Sequence, residues 1–300
     1  MRFADPTNDV AFKKIFGDEN KKEILISFLN AVLDFTGNDT IKSITIVNPY
    51  QVPKIEDLKN TILDIKAVDN NNNSFIVEMQ VAKDKEFAKR SLYYTSKSYV
   101  SQLGISKEYS TLQKVYFIGI LNFAILETQE YISRHLILDA KTLKQEIGDF
   151  EFTFIELPKF TKSLASLENS ITDKWIYFIK NASNFELIPA ELENIKEFKE
   201  AFEIAQQYTW SKQEMEVYDY VSMREGIQEN ALKTALEDGL KLGMEKGLAK
   251  GMEKGMEKGR EEGQFQAKLS IAKNLLDLLD DETLSLKTGL SISEIANLRG

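Results

Sequence analysis

The acidic residues Asp64 and Glu78 have the spacing in this sequence that best suits chemistry. They occur in two short runs rich in apolar and β-branched residues, 63–68 and 75–80, which an asparagine-rich segment separates. Asparagine favours turns and tolerates left-handed backbone, so we expect a β-hairpin. If the turn centres on Asn71, residues at equal distances before and after Asn71 pair with each other. Asp64 then lies opposite Glu78 on one face.

This predicted pairing of two carboxylates indicates a metal site. Like charges that face each other across a ladder repel and destabilise the sheet. Magnesium removes that cost, because it takes oxygen ligands and commonly uses one or two carboxylates together with substrate phosphate. We therefore expect Mg²⁺ as the cofactor, with Mn²⁺ able to substitute. An alternative stays open, in which both acids lie on the outer face of the hairpin and Lys66 merely neutralises them.

The composition excludes several other kinds of site. The chain of 300 residues has no cysteine and one histidine, His135. Thiolate or histidine metal sites, cysteine nucleophiles and histidine-centred triads therefore cannot form within one chain. The net charge of -9 argues against coating nucleic acid through bulk electrostatics, although residues 83–97 are locally basic. Without a signal peptide or an apolar run of roughly 18 residues, we expect a cytoplasmic protein with no membrane segment.

Strands and helices that must position these residues alternate through about residue 160, which predicts a mixed α/β sheet with helices packed on it. Residues 5–7 are expected to cap the first helix. Apolar residues at helical spacing predict helices over 10–17, 18–37, 85–103, 173–182 and 191–207. Runs of β-branched or apolar residues predict strands over 41–47, 61–68, 74–81, 115–121, 136–138 and 152–157.

Beyond residue 210 the sequence changes in kind, because glycine recurs every four residues from Gly239 to Gly263. Each glycine lies about 40° round a helix from the one before and costs about 0.8–1 kcal/mol of helix propensity relative to alanine. We therefore predict a soft helical linker over 211–265 that becomes firmer when copies of the chain associate through their small residues. A spacer without any partner is the alternative.

Residues 266–300 return to ordinary amphipathic spacing. Gly289 is expected to end one helix, and Ser291 or Ser293 to cap the next. A helix, a turn and a second helix can form a DNA-binding module, but such a pattern is more commonly a small hairpin used for assembly. The sequence leaves both open.

Several short motifs occur in an order and spacing that resemble a known family. They are residues 8–16 (NDVAFKKIF), 63–66 (LDIK), 77–80 (VEMQ), 90–94 (RSLYY), the apolar run 115–121, 173–175 (DKW) and the Glu-Lys-Gly tail. Together they resemble the recombination-promoting nucleases and related transposases, a PD-(D/E)XK-type group. The resemblance implies a nuclease core over 1–210 with a restriction-endonuclease-like mixed sheet flanked by helices, followed by the helical tail.

The resemblance also implies roles for individual residues. Asp64 and Glu78 would ligate the metal, the backbone carbonyl of Met79 is a candidate third ligand, and Asp9 is a candidate further one. Gln80 would stand where the family pattern usually has a lysine that positions or activates the attacking water. An amide cannot act as a general base near neutral pH, so the hydroxide would have to come from metal-bound water.

Basic and aromatic residues near these acids are the candidates for DNA contact. Lys13 lies one helical turn after Asp9 and is expected either to reach the site or to form a surface ion pair with it. Arg90 and Tyr94 are likewise one turn apart, a spacing suited to gripping a phosphate, although Tyr94 also fits the core.

These implications favour a metal-dependent DNA endonuclease that acts in recombination or mobile-element biology. Two alternatives remain from the sequence. One is a non-cleaving DNA-binding or assembly protein on a degenerate nuclease fold, which the glutamine and the overall acidity favour. The other is a toxin or defence factor that the glycine-repeat tail holds in check. DNA is the expected partner, and the chain is expected to form a homo-oligomer through its C-terminal helical region.

Overall fold

The computed structural model describes residues 2–47, 50–51, 61–104, 108–167 and 169–299. Its α-helices are α1 (Asp9–Phe16), α2 (Lys22–Val32), α3 (Phe87–Ser101), α4 (Ile171–Asn181), α5 (Ala190–Glu193), α6 (Lys196–Ala205), α7 (Lys212–Leu275), α8 (Asp281–Thr288) and α9 (Ile292–Arg299). Its strands are β1 (Ile44–Val47), β2 (Tyr50–Gln51), β3 (Thr61–Ile62), β4 (Ile65–Asp69), β5 (Ser74–Gln80), β6 (Val115–Leu121), β7 (Ile132–Leu136) and β8 (Phe150–Glu156).

A six-stranded mixed sheet forms the centre, in the order β1-β4-β5-β6-β8-β7. Strands β5, β6 and β8 are parallel, whereas β1, β4 and β7 join the sheet in antiparallel pairs. Every residue of β6 is buried, as expected for a central parallel strand with layers on both faces. The α/β, restriction-endonuclease-like class that the sequence predicts is confirmed.

Alternate residues of the central strands face two separate apolar layers. On one face, Phe75 and Val77 pack with the side chains of α1, α2, α4 and α6, where Trp175 stacks on Phe198 with ring centroids 4.0 Å apart. On the other face, Ile76 and the alternate residues of β6 pack with Phe87, the first residue of α3. Burying both faces makes the sheet a rigid platform for its strand ends.

The hairpin between β4 and β5 has the predicted register, since Ile65 pairs with Val77. Asp69 accepts the backbone N–H groups of Asn71 and Asn73, and Asn72 has a left-handed φ of 62°. The predicted strand over 61–68 was wrong in one respect, because it is interrupted just before β4. Thr61–Ile62 pairs with β2 in a separate two-stranded sheet. The predicted strand at 136–138 lies earlier in the chain, at β7.

The glycine-repeat segment belongs to one continuous helix, α7, whose residues 230–268 are exposed. The chain folds as two compact units, Met1–Glu229 and Asn230–Gly300, and the boundary between them falls inside α7. The three-part division at residues 210 and 265 stays a prediction. Within the part of the chain that the structure describes, none of the helices is both long and apolar enough to cross a membrane.

The second unit has its own small core, formed by Ala272, Leu284, Leu290 and Ile295. As predicted, Gly289 ends α8, and its φ of 70° is a backbone conformation that glycine adopts without strain. Ser291 accepts the N–H of Glu294, and the carboxylate of Glu294 accepts the N–H of Ser291. This reciprocal pair is a capping box, so the cap of α9 is Ser291 rather than Ser293.

Candidate active site

Asp64 and Glu78 meet where β4 begins and β5 ends. Asp64 Oδ2 accepts the backbone N–H of Met79 at 2.8 Å. Glu78 Oε1 in turn accepts the backbone N–H of Asp64 at 3.2 Å. The side chain of Asp64 thus takes the place of a backbone acceptor just where the strand is interrupted, which satisfies the Met79 N–H and fixes both carboxylates at this end of the hairpin.

Glu78 is buried and Asp64 is largely buried, which disfavours their charged forms. Glu78 is 5% exposed, and burial together with the charge of Asp64 raises the pKa of Glu78 to about 8. Burial also raises the pKa of Asp64 to about 6, a shift that Lys13 opposes and Asp9 reinforces. The alternative of two acids on an exposed outer face is therefore wrong, because Glu78 is buried and the side chain of Asp64 is only 14% exposed.

Helix α1 brings a third acid and a cation to this pair. Asn8 caps the helix by accepting the N–H groups of Val10 and Ala11, so the cap is not the predicted 5–7 segment. Lys13 Nζ lies 2.7 Å from Asp9 and 3.2 Å from Asp64. Lys13 therefore makes the i,i+4 ion pair and also reaches the site, which the sequence had posed as alternatives. Burial acts to lower the pKa of Lys13, but the attraction of Asp64 and Asp9 outweighs it and raises this pKa.

Gln80 and Arg90 form a second group beside the acids. Arg90 donates to Gln80 Oε1 at 3.0 Å and to Asp84 Oδ2 at 2.6 Å. Gln80 Nε2 donates to the carbonyl of Ala82 at 3.3 Å. The guanidinium carbon of Arg90 is 5.7 Å from the ring centroid of half-buried Tyr94. Both polar atoms of the Gln80 amide are therefore engaged within the chain, and Arg90 is held from two sides.

The backbone of Met79 faces the same place. In a sheet, the N–H and C=O groups of one residue point to the same neighbouring strand. Because the Met79 N–H points to Asp64, its carbonyl points to the edge where β4 has not yet begun. Two carboxylates and a carbonyl are oxygen ligands of the kind that Mg²⁺ takes, so the residues fit such an ion. Among the described residues, no three acidic, histidine or cysteine side chains form a ready metal cluster, so water and substrate oxygens would complete the shell.

Sequence reasoning missed Gly119, which pairs with Glu78 in the parallel ladder. A Cβ at this position would lie 3.0 Å from the ring of Phe87 and 3.1 Å from that of Phe154. Because glycine has no side chain, α3 can approach the sheet at the residue that pairs with Glu78. This approach places Arg90 beside Gln80. The available signal was a glycine inside an otherwise apolar strand, which often marks a close approach.

The predicted basic segment 83–97 is partly neutralised in the fold. Lys89 pairs with Glu86 at 2.9 Å, in addition to the pair between Arg90 and Asp84. Lys66 lines a hollow with Ser74, at the far end of β5 from Glu78. The structure thus brings together two groups: Asp64, Glu78, Met79, Asp9 and Lys13 in one, and Gln80, Arg90 and Tyr94 in the other.

Comparison with known proteins gives one family. The sequence model of the family described as PD-(D/E)XK nuclease family transposases matches residues 6–235. The matched region contains both groups of site residues. Neither the curated proteins nor the solved structures gave a match.

Proposed function

Since the chain belongs to the PD-(D/E)XK nuclease family transposases, we propose that it is a metal-dependent DNA endonuclease that hydrolyses phosphodiester bonds in recombination or mobile-element biology. The buried pair of Asp64 and Glu78 is the observation that carries this proposal. Two adjacent carboxyl groups with raised pKa values need positive charge before both ionise. A purely structural role would not require the free-energy cost of burying two acids side by side.

In this proposal, Asp64 and Glu78 bind Mg²⁺, or Mn²⁺ in its place, with the Met79 carbonyl as a third ligand and Asp9 as a further one. The bound ion would lower the pKa of a water molecule and offset the charge of the scissile phosphate. The fit of the donor set and the shared edge of the hairpin support this assignment.

The second group contacts DNA and orients the reactants. Arg90 has a guanidinium that Asp84 and Gln80 hold in one orientation, which suits it to a phosphate oxygen. Tyr94 packs against Arg90. Lys13, which belongs to the first group, offers the DNA a further positive charge. Gln80 helps to position the attacking water, since a neutral amide cannot remove its proton.

Plasmid cleavage tests the proposal. Purified protein is incubated with supercoiled plasmid and Mg²⁺, Mn²⁺ or EDTA, beside Asp64→Ala and Glu78→Ala. We expect nicked or linear DNA with either metal, none with EDTA, and none with either variant, while circular dichroism shows all three proteins folded. Intact plasmid with the wild type under every condition, together with retained DNA binding, would favour the non-cleaving alternative instead.

We also propose that copies of the chain associate through the C-terminal helical region. The exposed part of α7 carries apolar side chains every four residues, from Leu232 to Met256, in the second unit. Sedimentation of the full chain and of a chain ending at residue 229 tests this point. An equal number of copies per particle for the two chains would contradict it.

A further inference from the structure

The structure gives Lys13 a more specific setting than general contact with DNA. Its ammonium group is half-buried between Asp9 and Asp64 at 2.7 and 3.2 Å. Its charge also acts on Glu78. Lys13 is therefore a cation inside the acidic group and not one of several surface lysines near the DNA.

Gln80, at the position where the motif usually has lysine, cannot supply a cation. Its amide is neutral, its oxygen is occupied by Arg90 and its nitrogen donates to Ala82. Near the acids, Gln80 can still offer the second N–H of its amide nitrogen. The motif position therefore lacks positive charge.

Other cations of the hairpin region are placed differently. The charge of Arg90 also acts on Glu78, but Arg90 is bound to Asp84 and Gln80 on the side of the site next to α3. Lys66 is directed toward the other end of β5, beside Ser74. Among the described residues, Lys13 makes the direct ion pair with Asp64.

We propose that Lys13, from α1, supplies the catalytic cation that the Glu-X-Gln motif lacks. This inference rests on the proposed function. An ammonium group has three N–H donors, and Asp9 and Asp64 are the acceptors of two in the described chain. The third is left for an oxygen of the scissile phosphate, next to the acids that hold Lys13 in place.

The reaction leaves Lys13 chemically unchanged. Hydrolysis joins a water oxygen to phosphorus and breaks the bond from phosphorus to a deoxyribose oxygen. The water loses its proton to solvent, and the departing oxygen takes one from solvent. Throughout, the ammonium group offsets negative charge that builds on the phosphate oxygens, an effect that is largest in the transition state.

Steady-state cleavage of supercoiled plasmid by the full chain tests this role, with wild type, Lys13→Met, Lys13→Gln and the double variant Lys13→Met/Gln80→Lys. We expect kcat to fall by about a hundredfold in both single variants, with KM for DNA changed less than about threefold. Lysine at position 80 should restore at least about tenfold of the lost kcat. Lys13→Gln keeps a donor for Asp9 and Asp64, so it remains informative if Lys13→Met does not fold.

Binding of Mn²⁺ to the DNA-free protein gives a second readout that does not depend on turnover. Removing a positive charge next to the ligands should leave the Kd for Mn²⁺ unchanged or lower it. If Lys13 only shaped Asp64 for the metal, the Kd would rise in step with the loss of kcat. Lys21→Met is the matched control, because Lys21 also forms an ion pair, with Glu200 at 3.0 Å, but lies outside the site.

Three results would overturn the inference: an unchanged kcat in both single variants, a rise in KM alone, or a weaker Kd for Mn²⁺ together with no recovery in the double variant. Failure of the inference is distinguishable from failure of the proposed function. If the Lys13 variants cleave DNA as fast as an active wild type, only the role of Lys13 is contradicted. A wild type that never cleaves contradicts the nuclease and the inference with it.

Discussion

Buried carboxylates occur in two contrasting regions of the first unit. At the candidate active site, Glu78 and Asp64 share the vicinity of one ammonium group, Lys13, which also serves Asp9. Near the start of α4, Asp173 is 4% exposed but has Lys162 at 2.6 Å and the hydroxyl of Tyr131 at 2.5 Å. Glu78 and Asp173 have similarly little exposed surface, but Glu78 lies deeper in the protein, and Asp173 has a lysine and a hydroxyl group hydrogen-bonded to it.

Their pKa values respond accordingly. Burial would raise the pKa of Asp173, but hydrogen bonds from Lys162 and Tyr131 outweigh burial and lower it. At the active site burial prevails, and the pKa of Glu78 rises to about 8. An acid with its own lysine is an ion pair of the fold, whereas buried acids with less positive charge beside them are a candidate site for a cation.

Amide substitutions should separate the two regions most strongly in DNA cleavage. Asp64→Asn and Glu78→Gln keep the side-chain shape but remove a metal ligand charge, so we expect cleavage to fall at least about a hundredfold. Asp173→Asn should retain cleavage within about threefold at a temperature where it is folded. Rates measured on one plasmid with Mg²⁺ test this contrast, and comparable losses in all three variants would contradict it.

The same substitutions should change stability in opposite directions. Asp173→Asn leaves Lys162 without its carboxylate and should lower the free energy of unfolding by about 1–3 kcal/mol. Glu78→Gln removes a carboxyl group that is costly to ionise, and should raise it by about 1–3 kcal/mol at pH 8. Urea denaturation in EDTA measures both. A loss of stability in Glu78→Gln would mean that Glu78 is a structural acid like Asp173.

The pH dependence of stability should differ as well. Above the ordinary pKa of 4.5 the unfolded chain releases the proton of Glu78, while the folded protein retains it until about pH 8. The contribution of protonated Glu78 to the free energy of unfolding is therefore fully present below pH 4.5, and it is lost as pH rises through about 8. Relative to Glu78→Gln, the metal-free wild type should become less stable between pH 5 and 8, and Mg²⁺ should reverse part of that loss. Parallel curves for the two proteins would be inconsistent with the raised pKa.

The smallest expected effect concerns the hydroxyl of Tyr131. Tyr131→Phe removes one of the hydrogen bonds to Asp173 and should cost about 1 kcal/mol of stability without changing cleavage. Thermal or urea unfolding of this variant, compared with Asp173→Asn, shows how the support of Asp173 divides between Tyr131 and Lys162. No loss would assign that support to Lys162 alone.

The features that the sequence predicted best depend on local patterns. The asparagine turn and the alternation of strand residues predicted the hairpin register, and the apolar run predicted β6 with its bounds. The features that it missed depend on packing between distant segments. The approach of α3 over Gly119 joins residues that are far apart in the chain, and for the same reason the sequence left open whether Lys13 reaches the site. The interruption before β4 was missed because it depends on a side chain, that of Asp64, replacing a backbone group.

The glycine repeat shows a limit of another kind. The sequence predicted a soft helical segment, and the structure has a continuous helix there with its side chains exposed, whereas its softness stays a prediction. Propensity is a small free-energy term for each residue, and it does not decide by itself where a helix ends. No proline lies between residues 212 and 275, and the helix continues through its glycines.

Helix α1, which carries Asp9 and Lys13, is also held by the beginning of α7. The hydroxyl of Tyr218 accepts the N–H of Asp5, Asn8 donates to Ser222, and Lys14 pairs with Glu214. During translation, residues 79–225 take about 7–30 s to follow Glu78 at about 5–20 residues/s. A growing chain therefore contains its acids well before the segment that fastens α1 beside them. The contacts between α7 and the region of α1 therefore form late in synthesis of the proposed nuclease. This order would delay DNA cleavage until most of the protein has been made.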